Sequence, residues 1–309
     1  MSLISEYKLN IPYQVNQALA EDLGFDFVPS SSQPQAETLA ISQRELDITA
    51  MLINEDEVMH AQIITREAAV ICGVEWVNEV FQQVDSSVEL HWQCKDGDHV
   101  GAKQCLVTIH GNARSILTAE RCALNFLQTL SGTATVTAKY ASYLTGSKTK
   151  LLDTRKTLPG MRQAQKYAVA CAGGQNHRMG LYDAYLIKEN HIEACGGIKN
   201  AVTKARKLQP NAAIEVEVET LDELRQALNC NVNTIMLDNF STKLVKEAVA
   251  ITDGKCKIEV SGNITLARLQ ELAATGIDYI SSGALTKHVS AIDLSLVSLQ
   301  ERRSSPDTK

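Results

Sequence analysis

Six short β-rich runs recur through the second half of the chain and constrain its fold more than any other feature. They are LLDT (151–154), AYLI (184–187), IEVEV (214–218), TIML (234–237), KIEV (257–260) and YISS (279–282). Their starts lie 33, 30, 20, 23 and 22 residues apart. Helical patterns fill the intervals: MRQAQKYAVACAGG, IKNAVTKARKL, LDELRQALN, STKLVKEAVAI and LARLQELAATG. Strand and helix alternating at this spacing predict βαβ units and a parallel sheet, closed as a barrel or open and doubly wound.

The first ~110 residues read as a separate mixed α/β module. A helix is expected from Pro12 to Leu23, with Gly24 just past its end. Residues 26–46, containing PSSSQPQ, read as a mobile loop. Strand-like runs follow at 61–71, 88–94 and 104–111, with Lys95, Asp96, Gly97 and Asp98 as a turn between the last two. From Arg114 an apolar helical face begins, for which Gly132 is the expected C-cap, and a second helix is expected to end near Leu144 and Gly146. The chain is divided into residues 1–125 and 126–288, and the segment 289–309 is expected to pack back on the first part.

Composition narrows the class. The chain of 309 residues is 44% hydrophobic and 21% charged, as expected of a globular protein. No apolar run is long enough for a membrane span, and the N-terminus lacks the pattern of a signal peptide, so a cytoplasmic protein is expected. Eight scattered cysteines without a C-x-x-C pair read as free, mostly buried thiols, Cys105 and Cys122 among the core. The net charge of −6 argues against a nucleic-acid binder. Yet residues 153–191 carry six Lys/Arg and three acids, which makes that segment +3 and the remainder −9. A basic segment in an acidic chain points to a small anionic ligand.

Function is read at the strand ends, because α/β barrels build their sites from the loops after the strands. Arg155 and Lys156 follow the first strand, and Lys188, Glu189, Asn190 and His191 the second. Asp238 and Asn239 follow the fourth, then Ser261, Gly262 and Asn263 the fifth, with Gly283 and Ala284 after Ser282 in the last. Glu215, Glu217 and Glu219 share one face of the third strand. That pattern suits either a half-solvated strand or carboxylates turned into a barrel mouth, where Asp238 would add a second acid and a Mg²⁺ ion could be held through a substrate phosphate. Arg155, Lys156, His177, Arg178 and Lys188 form a cluster of cations that an anion would separate. Short Ser/Gly turns after the last two strands suit a phosphate. No Ser or Cys stands beside a base, so positioning and electrostatics are favoured over covalent catalysis.

These residues fall into ordered motifs: DTRKT at 153–157 with PG at 159–160, GQNHR at 174–178, LIKENH at 186–191, EVEVE at 215–219, MLDN at 236–239, EVSGN at 259–263 and SGALT at 282–286. With EDLG at 21–24, DIT at 47–49, ER at 120–121 and LN at 124–125, they resemble the quinolinate phosphoribosyltransferase family over roughly residues 12–297. The stretch between Gly24 and Asp47 is longer than that family usually carries. The resemblance implies an amino-terminal α/β sandwich domain packed on an incomplete (β/α) barrel of six or seven parallel strands, assembled as a homodimer or larger homo-oligomer. It implies transfer of phosphoribosyl from 5-phosphoribosyl-1-pyrophosphate to quinolinate with decarboxylation to nicotinate mononucleotide, in NAD synthesis. Arg155, His177, Arg178 and Lys188, with Arg121 from a neighbouring subunit, would then hold quinolinate. Lys156 would contact the donor, and Glu217 and Asp238 would face the ribose and its Mg²⁺, bound directly or through substrate. Ser261, Gly262, Asn263, Ser282, Gly283 and Ala284 would bind the donor's 5-phosphate. Three other readings stay open: an aldolase-type barrel with Lys188 as Schiff-base lysine, a related protein of metal handling, and a dicarboxylate sensor without catalysis.

Overall fold

A computed structural model describes residues 7, 9–26 and 39–299. Most of the loop expected at 26–46, and the tail after 299 that reads as disordered, lie outside the described residues. The chain forms two compact units, residues up to Thr135 together with those from Ser290 onward, and Val136–Val289.

The first unit begins with helix α1 (Ile11–Leu23), its side-chain cap from Asn10 and its end at Gly24, whose φ of 74° is left-handed. A short helix α2 (Ile41–Arg44) interrupts the expected loop. The run expected as one strand at 61–71 divides into β1 (Val58–Thr65) and β2 (Ala69–Val70). Helix α3 (Val74–Val84) follows, with Trp76 and Phe81 buried. Then come β3 (Glu89–Trp92), β4 (His99–Val100) and β5 (Cys105–Asn112). The turn at 95–98 forms as expected, Asp98 N–H bonding Lys95 O at 3.1 Å. It also serves α3, because Asp96 Oδ1 accepts the N–H groups of Gly73 and Val74 at 2.9 and 3.0 Å.

Helix α4 (Ala113–Ser142) runs unbroken through Gly132. The expected C-cap there is thus incorrect, as is a second helix starting after it. Gly132 answers a packing need instead, since a Cβ at this position would lie 2.2 Å from the carbonyl oxygen of Ser290.

In the second unit, β6 (Lys150–Leu152), helix α5 (Arg162–Cys171), β7 (Ala184–Ile187), α6 (Glu189–Cys195) and α7 (Ile198–Leu208) lead to β8 (Ala213–Val218). Helix α8 (Leu221–Asn229), β9 (Thr234–Asp238), α9 (Thr242–Thr252), β10 (Lys257–Ser261), α10 (Leu266–Ala273), β11 (Tyr279–Ser281) and α11 (Ala284–Lys287) complete it. Strand β12 (Leu294–Ser298) returns to the first unit and pairs antiparallel with β1, in a sheet of order β12-β1-β5-β3.

All six expected strands form one parallel sheet of order β6-β11-β10-β9-β8-β7. Among the described residues its end strands β6 and β7 do not pair; an isolated bridge joins Leu152 to Gln175, ahead of β7, which leaves the barrel incomplete. The period of two sorts the residues by face. Ile214, Val216, Ile235, Leu237, Ile258, Val260 and Ile280 share one buried core with Leu224, Val245 and Leu269 of the surrounding helices. The alternate positions, Glu215, Glu217, Met236, Glu259 and Tyr279 among them, lie in register on the other face. Thr220, Ser241 and Thr265 start helices α8, α9 and α10, and Thr220 and Glu223 cap one another at 3.2 and 3.1 Å. The cysteines are all free, but only Cys72 and Cys122 are buried; Cys105 and the others are partly exposed, against the expectation of mostly core thiols.

Gly132→Ala should lower stability. Helix propensity would gain about 1 kcal/mol, whereas overpacking against an immovable backbone oxygen costs roughly 1–3 kcal/mol or more. A net drop of up to about 2 kcal/mol in urea unfolding is expected, and a raised midpoint would remove the close-approach account.

Candidate active site

The site grows from a buried ion pair. Asp153, directly after β6, and Lys166 on α5 have fully buried side chains and bond to one another. Asp153 also accepts from Asn176 Nδ2 at 2.5 Å and from the backbone N–H of His177 at 2.9 Å. Lys166 donates further to His177 O at 2.8 Å. Burial pushes the Asp153 carboxyl up and the Lys166 ammonium down, each opposed by the other's charge. Three bonds from the pair to Asn176 and His177 fasten the 153–158 loop to the segment carrying His177 and Arg178.

That loop is fixed at its other end as well. Thr286 Oγ1 donates to Lys156 O at 2.8 Å, Leu158 N–H to Gln165 Oε1 at 2.8 Å, and Gln165 Nε2 to Thr286 O at 2.9 Å. Arg155 and Lys156 are thereby presented at the carboxyl ends of the strands. There Arg155, Lys156, His177, Arg178, Lys188, Glu217 and Ser261 line one cavity of about 310 Å³, with Leu186 and Met236 as its apolar wall. The cluster expected from the sequence is therefore brought together.

Its charges are unbalanced. Lys188 pairs with Glu217. Arg178 donates to Ala184 O at 3.1 Å, and burial followed by the charge of Arg155 pushes its pKa down. Arg155 Nε is buried without a partner. Two guanidiniums close together, one with an unused donor, make a site for an anion with planar oxygens.

The remaining candidates lie around the rim or elsewhere. Asp238 ends β9 beside Ser261 in register. A Cβ on Gly262 would meet Asn239 Oδ1 at 2.4 Å and Asp238 Oδ1 at 3.2 Å, and the φ of +89° there suits glycine. Asn263 also has positive φ, 46°. Gly283 abuts Lys156, whose Cδ would lie 2.9 Å from an added Cβ. Ser282 is buried, its N–H bonded to Leu152 O at 3.0 Å and its hydroxyl to Ala284 N–H at 3.3 Å. Arg121 stands exposed on α4 in the first unit. Glu217 and Asp238 are the carboxylates at neighbouring strand ends and form no part of a three-ligand cluster among the described residues. That suits an ion carried by a substrate's phosphates better than an all-protein cage.

Sequence reasoning missed Lys166, Gln165, Thr286 and Glu259. Glu259 is 1% exposed, and burial together with the charge of Glu215 raises its pKa to about 8, against the pull of His177 and Ser281. Its place in an otherwise apolar strand, KIEV, was the available signal. His177 also sits differently from a simple ligand-binding residue. Nδ1 accepts the N–H of Arg178 at 2.8 Å, and Nε2 lies 2.9 Å from Glu215, so both nitrogens are engaged within the protein.

The quinolinate phosphoribosyl transferase C-terminal domain profile matches residues 133–297, and the N-terminal domain profile matches residues 47–131. The chain belongs to the quinolinate phosphoribosyltransferase family. Among its relatives is a nicotinate-nucleotide pyrophosphorylase (carboxylating), chloroplastic, of Arabidopsis thaliana, 40% identical over 270 residues, covering 81% of this chain and 77% of that one. The nicotinate-nucleotide pyrophosphorylase of Francisella tularensis has a solved structure that is 49% identical, with a TM-score of 0.85, covering 94% of this chain and 96% of that chain. That of Ehrlichia chaffeensis is 36% identical with a TM-score of 0.83, covering 92% and 97%. The family's fold is the one found here, an amino-terminal α/β domain and an incomplete barrel. The ion-paired, partly exposed Lys188 is also unlike the neutral amine that a Schiff-base reading requires.

Lys166→Met should be among the most damaging single changes in the second unit. It leaves Asp153 charged and buried, which costs about 3–5 kcal/mol. Chemical denaturation would show it, and a loss under 1 kcal/mol would mean that the pair is neutral.

Proposed function

We propose that the cavity binds quinolinate and 5-phosphoribosyl-1-pyrophosphate and joins them with loss of CO₂. As a member of its family the chain is a phosphoribosyltransferase, and the products are nicotinate mononucleotide, CO₂ and pyrophosphate. The observation that carries this reading is the pair Arg155 and Arg178, held together in the cavity with a buried donor unused.

The chain's own residues divide the work. Arg155, Arg178 and Lys188 hold the two carboxylates of quinolinate and turn its ring nitrogen towards the donor's anomeric carbon. His177, its nitrogens committed inward, forms the floor of this clamp. Lys156 lies against Gly283 and takes the donor's phosphates. Ser261, Gly262 and Asn263, with Ser282, Gly283 and Ala284, hold the 5-phosphate. As the nitrogen lone pair forms the new bond, the bond to pyrophosphate breaks and positive charge develops on the ribose. Glu217 and Asp238 stabilise that charge, Glu217 exchanging its contact with Lys188 for the sugar. Mg²⁺, held at Glu217 and Asp238 directly or through the donor, would offset the charge of the leaving pyrophosphate. Decarboxylation next to the nitrogen then leaves an electron pair that the cationic ring stabilises until a proton replaces the lost CO₂.

Arg121 is the residue proposed to complete the site from a neighbouring subunit of a homodimer. The compartment proposed is the cytoplasm, supported by eight free cysteines, which suit a reducing environment. No helix among the described residues is long and apolar enough to cross a membrane.

The reading is tested by ¹⁴CO₂ release from carboxyl-labelled quinolinate. Release should require both the phosphoribosyl donor and Mg²⁺. Binding of quinolinate without release would leave a dicarboxylate sensor. Arg155→Ala should fold normally and lose about 30-fold or more in kcat/KM, since removing one partner of a desolvated charge contact costs roughly 2–5 kcal/mol. Full activity in that variant would remove the carboxylate clamp.

A further inference from the structure

Below the floor of the cavity, inside the sheet, three buried oxygens have no hydrogen-bond partner: Glu215 Oε1, Glu259 Oε1 and Ser281 Oγ. They belong to one cluster. His177 Nε2 lies 2.9 Å from Glu215 Oε2 and 3.6 Å from Glu259 Oε2, so two carboxylates converge on a single imidazole nitrogen. Glu215 is 9% exposed and Glu259 1%. Leaving a buried acceptor unsatisfied is costly, and leaving two like charges side by side is more so.

A cation or a proton would reconcile them. The donor atoms of His177, Glu215 and Glu259 lie within 4.8 Å of one another, close enough for a metal ion. Ligation, however, needs a lone pair on Nε2. Nδ1 already accepts the N–H of Arg178, so the ring's proton sits on Nε2 and is directed at the carboxylates. The imidazole is therefore a donor to this cluster and not a ligand. Its single N–H goes to Glu215, the nearer of the two.

We infer that Glu259 is a neutral carboxylic acid in the folded protein, donating its proton to Glu215, and that through Glu215 it fixes the His177 ring in the floor of the quinolinate cavity. One proton satisfies the two orphaned carboxylate groups at once. It leaves the cluster with one negative charge under the cations of the clamp. Glu259 is then a positioning residue. The groups facing it favour this state. His177 and Arg178 approach from one side with Asp183, Tyr279 and Ser281 stand on β11, and Lys166 is neutralised by Asp153. Arg178 has Asp183 and Glu215 for its charge. The elevated pKa of Glu259 agrees with the geometry.

The positioning role rests on the reaction proposed above, whereas the protonation state does not. Infrared spectra at neutral pH should show a protonated-carboxyl carbonyl band in the wild-type protein that disappears in Glu259→Gln. In quinolinate kinetics Glu259→Leu should raise KM by about tenfold or more with a smaller change in kcat, as expected when one buried hydrogen bond is lost. Glu259→Gln, neutral and still a donor, should restore most of that affinity. A missing infrared difference overturns the inference even if Glu259→Leu fails to fold. So does a Gln variant as impaired as Leu, which would mean that a charged carboxylate is needed. Zn²⁺ or Mn²⁺ retained stoichiometrically by the wild type and lost in Glu259→Gln would overturn it in favour of a cation. A wild type that releases no CO₂ would defeat the proposed reaction while the infrared comparison still decides the proton.

Discussion

The ion pair between Asp153 and Lys166 holds the second unit's site together. It lies where the parallel sheet fails to close, between β6 and the segment that bridges it at Gln175. A barrel normally joins its ends by a continuous ladder of backbone bonds. Here one isolated bridge is reinforced by bonds from Asp153 to Asn176 and to the N–H of His177. Removing two charges from water is expensive, and a hydrophobic pair would be at least as stable. What apolar residues could not supply is direction. The carboxylate accepts the N–H of His177 and the ammonium donates to the carbonyl oxygen of the same residue, and so Arg178 is fixed relative to Arg155.

The second constraint is the sorting of residues across the sheet. Outward positions carry Val, Ile and Leu and pack against the helices, which is enough to drive folding without help from the interior. The inward face is thus free to carry Glu215, Glu217, Glu259 and Met236. Depth then decides what each acid does. Glu217, near the strand's end, is exposed enough to pair with Lys188, while Glu259 lies below water's reach. The same residue type on the same face thus supplies an ion-pair partner near the strand's end and a buried acid deeper in the sheet.

Periodicity made most of this frame legible. Strand spacing, the apolar stripes of the helices and the polar residues after each strand are local patterns, and they located the cavity's lining. Contacts distant in sequence were not legible. Gly132 reads as a cap because nothing in the sequence shows that Ser290 lies against it. Lys166 reads as the polar face of a helix, and only the fold brings it to Asp153. Gln165 and Thr286 act through backbone contacts 121 residues apart. The start of helix α3 turns on Gly73 and on the capping by Asp96, which lies 23 residues away.

The cavity's charge explains why a dicarboxylate suits it on the proposed reading. Arg155, Lys156, Arg178 and Lys188 line it, and the only carboxylate among the lining residues is Glu217. Without ligand, the two arginines repel at close range in a partly desolvated setting. A dianion relieves that repulsion and gives each cation a partner. A monoacid of the same ring relieves half of it and leaves one guanidinium buried and unpaired. Such an unpaired charge costs more than a missing apolar contact, so discrimination arises from the misfit of the wrong ligand as much as from attraction to the right one. If Glu217 moves from Lys188 to the sugar, Lys188 is released to the carboxylates at the same moment. Binding of the second substrate would then strengthen the hold on the first through one exchanged ion pair, without any movement of the sheet.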